Sequence, residues 1–194
     1  MALIQEIENI VEAACAADSN MFGYDIWTHH IVPVVENSRR LAPLFEADEE
    51  IVVVSALLHD YASVKDPALY EDHHVHGPIE AEKVLRRLDY PAEKIEAVKY
   101  CIANHRGSVP SERSTPEAEC LANADALAHL QNVPSLLYLV YTRRDMDIDQ
   151  GVEWLQNKLA RSWNKLSPQV REMADERYRA AQIVLSTSSL EEIK

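Results

Sequence analysis

Glycine occurs only four times in this 194-residue chain, at positions 23, 77, 107 and 151. Tight hairpins and phosphate-cradling loops depend on glycine, because only a residue without a Cβ adopts positive φ freely. Neither G-x-G-x-x-G nor G-x-x-x-x-G-K-[S/T] is present, which excludes a Rossmann dinucleotide site and a P-loop. A β-sandwich or barrel would spend more glycine on its turns. What remains is a series of long segments with apolar residues three and four apart, and this predicts an all-α fold. At this length one domain with one substantial core, spanning 1–194, is the default.

The periodicity divides the chain into about eight to nine helices. Ile4, Ile7, Val11 and Ala14 mark a first, and Val34, Val35, Ser38, Leu41 and Leu44 a second that starts near His30. Pro33 suits its first turn, where a missing N–H costs little. Asp48 followed by Glu49-Glu50 is a helix start, so Ile51–His59 reads as a short, fully buried third helix. Its Val52–Val54 run would suit a strand as well, but the Asp48 cap and the flanking helices favour a helix. Tyr61–Gly77 reads as a loop, or a loop with one short helix. Pro78 is placed to open a fourth helix, Pro91 a fifth, and Thr115-Pro116 a sixth that runs to about Leu130. Residues 134–144, 150–164 and 168–185 complete the set. A second loop covers Arg106–Thr115 with Gly107 and Pro110, and a frayed tail is expected at Ser186, Ser188 and Ser189.

The net charge is −13, with no run of Lys and Arg. Such a chain repels nucleic-acid backbones and anionic lipid, so neither is expected as a partner. The longest apolar run, Ile51–Leu58, is far short of the ~20 residues of a membrane span. Met1–Ala17 carries Glu6, Glu8 and Glu12 and no basic region, unlike a signal peptide. Cys15, Cys101 and Cys120 are odd in number and form no C-x-x-C, which fits free thiols in a reducing cytoplasm. A homo-oligomer is compatible with this pattern and not specified by it.

The chemistry concentrates in the histidines. Eight are present, at 29, 30, 59, 73, 74, 76, 105 and 129. His59-Asp60 ends a buried apolar helix, where an unpaired polar group costs ~2–7 kcal/mol. The pair must therefore be hydrogen-bonded as a cap or ligate an ion. His30, His76, His105 and Asp125 also lie at or near expected helix ends. Imidazole with carboxylate suits Fe, Mn or Zn rather than Ca. His73 and His74 read as solvated loop imidazoles, and His129 as a satisfied surface or core histidine. An anionic substrate would need local positive charge in so acidic a chain. Lys65 and Arg106, each just beyond a helix bearing a candidate ligand, come first, and Arg143 and Arg144 next.

The segments that carry these residues follow a known order. They are His30-Ile-Val-Pro-Val34 with Ser38 and Leu41-Ala42; Ala56-Leu57-Leu58-His59-Asp60; His76-Gly77-Pro78-Ile79-Glu80-Ala81; Ile102-Ala103-Asn104-His105; and Ala122-Asn123-Ala124-Asp125-Ala126-Leu127. Over about residues 27–130 the chain resembles the HD superfamily of metal-dependent phosphohydrolases. The resemblance implies a compact HD-domain helical bundle, with the helices of about 131–187 packed on that core. It implies that His30, His59, Asp60 and Asp125 hold a principal metal. His76 and His105 match the further ligands of the binuclear branch, with Asp60 bridging. The cofactor would be one or two divalent transition-metal ions, Fe, Mn or similar. The common HDIGK motif reads His59-Asp60-Tyr61-Ala62-Ser63-Val64-Lys65 here, with the lysine displaced by two positions. This is similar to small HD hydrolases in which a Pro follows the lysine, as Pro67 does. No Gly-Tyr-Pro motif of the cyclic-di-GMP enzymes is present.

The activity so implied is hydrolysis of a phosphate ester or anhydride in a small, nucleotide-like molecule, by water that the metal activates. Asp60 and Lys65 are the catalytic candidates, and Lys65, Arg106, Arg143 and Arg144 the substrate-binding ones. Two alternatives share the ligand set: a metal-holding HD domain that acts as ligand sensor or scaffold with little turnover, and a di-iron oxygenase of the HD type.

Overall fold

The computed structural model describes residues 2–106 and 113–186. Gly107 and Pro110 of the expected second loop, and Ser188 and Ser189 of the expected tail, lie outside the described residues. Everything regular among the described residues is helical, as the periodicity predicts. The α-helices are α1 (Ala2–Cys15), α2 (Val32–Phe45), α3 (Glu49–Leu58), α4 (Tyr61–Lys65), α5 (His73–Arg87), α6 (Ala92–Asn104), α7 (Pro116–Gln131), α8 (Val133–Tyr138), α9 (Ile148–Lys165) and α10 (Pro168–Leu185). Two five-residue π-helical turns, Trp27–Ile31 and Leu139–Arg143, precede α2 and follow α8.

Two helices with apolar residues all round form the centre. In α3 every residue from Val52 to Leu58 is buried, and in α7 every residue from Cys120 to Leu130. A helix buried on all sides has no polar face, so it must be surrounded. α7 packs against α2, α3, α6, α9 and α10, and α3 against α1, α2 and α6. Asp48 caps α3 by accepting from the N–H groups of Glu50 and Ile51, which settles the helix over the strand. Thr115 caps α7 through the Ala118 N–H, with Pro116 in the first turn. One apolar core runs from Ile7 and Val11 through Leu57, Leu121 and Leu127 to Leu155, Leu159 and Val170. The three cysteines are free and buried. Among the described residues no helix is long and apolar enough to cross a membrane.

Two expectations need correction. Residues 61–77 are not mainly loop: Tyr61, Ala62, Ser63 and Val64 are buried in α4, and α5 begins at His73, five residues before Pro78. A proline inside a helix loses one backbone hydrogen bond and costs ~3 kcal/mol. The inner face of α5, with Ala81, Val84 and Leu85 buried and Gly77 close against Ile102, continues across that proline. Residues 134–144 are also not one α-helix. They divide into α8 and a π-helical turn, and that wider turn delivers Arg144 to the wall of a cavity.

Candidate metal centre

Three histidines are locked in the same way. The Nδ1 of His59 lies 2.7 Å from the Ala56 carbonyl, that of His105 2.6 Å from the Ile102 carbonyl, and that of His73 2.7 Å from the Tyr70 carbonyl. In each case the acceptor is three residues earlier, at a helix end or start. A carbonyl can only accept, so Nδ1 carries the proton and the neutral ring presents a lone pair at Nε2. All three Nε2 atoms face Asp60. The tautomer a metal needs is thus set by the backbone.

Asp60 divides these rings into two sets. Its Oδ2 is 3.2 Å from His30 Nε2 and 3.4 Å from His59 Nε2. Its Oδ1 is 3.6 Å from His73 Nε2 and 4.0 Å from His105 Nε2. Asp125, from the middle of α7, places Oδ1 3.6 Å from His30 Nε2. The donor atoms of His30, His59 and Asp125 lie within 4.8 Å of one another, and so do those of His59, Asp60 and His105. Imidazole nitrogens with carboxylate oxygens at this spacing fit a divalent transition metal.

The electrostatics agree with a site built to hold positive charge. Burial opposes the charge of Asp60, but the rings of His59, His30 and His73 gathered around it hold its carboxyl well below the usual range. Burial likewise opposes the charge of Asp125, and His129, Lys165, His30 and His59 outweigh it. Burial disfavours the His59 cation too, yet Asp60 and Asp125 raise its pKa. His105 is pushed down to about 3, by burial first and by the neighbouring His59 next.

The structure brings five of the six expected ligands together: His30, His59, Asp60, His105 and Asp125. The sixth position differs. His73, not His76, stands against Asp60, because α5 starts early enough for His73 to share a helix face with Gly77, Ala81 and Val84 one, two and three turns on. That spacing was the signal for it. His73 is therefore buried, not a solvated loop imidazole. His129 is a satisfied core histidine, 3.4 Å from Asp125 Oδ1, 3.1 Å from Ser162 Oγ and stacked on His30.

A cavity of about 340 Å³ opens in front of this cluster. Arg106 and Arg144 line it. Lys65 does not: its ammonium is half exposed and 2.7 Å from Glu80 Oε2. Arg143 does not either, and packs on Gly23 and over the Tyr138 ring. Three cations the sequence reading missed, Lys158, Arg161 and Lys165, enter from α9. Their spacing of three and four along one amphipathic helix is a face signal, but nothing in the sequence says what that face meets. Lys165 forms a buried ion pair with Asp125 Oδ2 and donates to the His105 carbonyl at 3.0 Å. Phe22, Tyr70, Leu136 and Trp154 supply apolar wall.

The chain belongs to the HD domain family, whose model matches residues 27–130. A search of curated proteins gives no match. Two solved structures share the fold. One is YpgQ of Bacillus subtilis in complex with ADP, at 20% identity and a TM-score of 0.66, covering 93% of each chain. The other is a predicted HD superfamily hydrolase from an uncultured Thermotogales bacterium, at 23% identity and 0.61, covering 93% of this chain and 88% of the other.

Proposed function

We propose that this protein is a metal-dependent phosphohydrolase acting on a small, nucleotide-like phosphorylated molecule. The observation that carries the reading is Asp60, which turns one carboxylate oxygen to His30 and His59 and the other to His73 and His105. One divalent ion such as Fe or Mn would be held by His30, His59 and Asp125, and a second by His73 and His105, with Asp60 in reach of both sets. A bound ion supplies a water that ionises near neutral pH and a positive charge against phosphoryl oxygens. Asp60, held well below the usual carboxylate range, is fitted to accept a hydrogen bond from the attacking water and orient it. Arg106 and Arg144 face the cavity and would meet the phosphoryl oxygens. Lys65, paired with Glu80, takes no part in this reading.

The cavity supports a nucleotide-like ligand on size and lining. Its volume is within the usual range for small-molecule sites, and Tyr70 and Trp154 offer ring faces to a base. The ADP bound by YpgQ supports the same class. The test is phosphate release by purified protein from phosphomonoesters, nucleotides and dinucleoside polyphosphates, before and after chelation. Release from a nucleotide that stops on chelation and returns with Mn²⁺ or Fe²⁺ is expected. A metal-loaded protein that releases phosphate from none of them would instead be a sensor or scaffold.

A further inference from the structure

The five cations that line the cavity are not equivalent. Lys165 is engaged by Asp125 and the His105 carbonyl. Arg106 is engaged by the Glu71 carbonyl and His74. Arg144 donates to the Tyr70 hydroxyl at 2.6 Å and lies against the Tyr70 and Trp154 rings. Lys158 and Arg161 alone have no hydrogen bond or ion pair among the described residues.

These two sit three residues apart on α9, so they share a face, and both reach the same cavity. Lys158 is half-buried and makes no hydrogen bond or ion pair among the described residues. Asp125 attracts it while Lys165 and Arg161 repel it. Arg144, held against the ring of Trp154 one turn before Lys158 on α9, keeps a buried Nε–H that no acceptor among the described residues satisfies. Donors of Lys158, Arg161 and Arg144 that no protein acceptor takes line one space and are complementary to an anion with several acceptor oxygens. They lie beyond residues 27–130, the span of the HD domain match.

We propose that Lys158 and Arg161 form an anion subsite on α9 that holds a phosphoryl group of the ligand separately from the metal ligands. The choice of phosphate as the anion rests on the phosphohydrolase reading. Lys158 contributes a half-buried charge, and Arg161, at the exposed rim, contributes a planar fork of donors.

Methylenediphosphonate, which has no P–O–P bridge to hydrolyse, is titrated calorimetrically into the full chain saturated with Mn²⁺. Saturable binding is expected, weakened at least tenfold in Lys158→Ala and kept within threefold in Lys158→Arg, with the metal-to-protein ratio unchanged in both. Absence of binding to the unaltered chain, or a loss below threefold in Lys158→Ala, overturns the subsite. The two readings fail separately. If no phosphorylated compound is turned over but the diphosphonate still binds through Lys158, the subsite stands and the hydrolase reading falls.

Discussion

His30 and His59 bring their Nε2 atoms to 3.1 Å of each other, although Nδ1 of His59 is already committed to a backbone carbonyl. The His59 lone pair at that distance is met by a proton on His30 Nε2 or by a cation between the rings. Asp60 and Asp125 both approach the same point. The cluster therefore gathers nitrogen donors and carboxylates at one point, as a group that could hold a cation does.

His73 and His76 should differ sharply on substitution. His73→Ala should lower bound metal toward one ion per chain, because it removes one of the two rings facing Asp60 Oδ1. His76→Ala should leave the ratio unchanged. Metal analysis after loading with excess Mn²⁺ and desalting checks this, and equal behaviour of the two variants would contradict it.

Gly77 is expected to be intolerant of even one methyl group. A Cβ there would stand 2.8 Å from Ile102 Cγ2 and 3.5 Å from the His59 carbonyl oxygen. Alanine favours a helix over glycine by ~1 kcal/mol, so propensity alone predicts a gain. The close approach of α5 to α6 predicts the reverse, with His73, one turn earlier, pushed away from Asp60. Gly77→Ala should weaken Mn²⁺ binding about tenfold by competition with a fluorescent chelator, with the circular-dichroism spectrum retained.

The Lys165–Asp125 pair is almost fully buried, its side chains 4% and 6% exposed. Removing one partner strands the other charge, which costs ~3 kcal/mol in a buried pair. At ~2–4 °C per kcal/mol for a chain of this size, Lys165→Met should lower the Tm of metal-free protein by about 6–12 °C. Bound metal would compensate Asp125, so the loss should shrink on adding Mn²⁺. A loss that is the same with and without metal would show that Lys165 does not act through Asp125.

Metal-free protein should lose stability as pH falls from about 6.5 toward 3. The folded pKa of His105 is depressed to about 3, so over that window the unfolded chain takes up a proton that the folded chain refuses. Its contribution is complete above the unfolded value and lost on acidification. His129 is depressed as well and acts in the same direction. Asp60 and Asp125, also depressed, extend the loss below the ordinary carboxylate range. His59, which is raised, opposes it with a contribution lost as pH rises. Urea midpoints at pH 7, 6, 5 and 4 should therefore fall steadily, and a rise toward pH 4 would reverse the balance assigned to these groups.

Much of this was legible in the residues. The all-α class followed from helical periodicity and scarce glycine, and the helix starts at Asp48 and Thr115 from capping chemistry that depends only on neighbours. His59-Asp60 stood out because a polar pair at the end of an apolar helix must be satisfied, and His105 and Asp125 through the ordered segments that resemble the HD superfamily. His73 did not, since Pro78 is a local start signal and the burial that overrides it is a tertiary effect. Lys158, Arg161 and Lys165 were hidden for the same reason: a helix face can be read from spacing, but what α9 faces depends on packing against α7. Lys65 misled in the opposite way. Its position after the His-Asp pair suggested the site, while Glu80, fifteen residues later, turns it elsewhere.

The central claim is that one carboxylate serves both sets of imidazoles. Manganese equivalents bound per chain, measured by titration into chelated protein, test it most directly when Asp60→Asn is compared with the unaltered sequence. Two equivalents are predicted for the unaltered chain and neither retained at comparable affinity in Asp60→Asn, because both positions lose the shared carboxylate charge and the amide leaves one oxygen in place of two. An Asp60→Asn protein that still binds one equivalent as tightly as before would contradict the account.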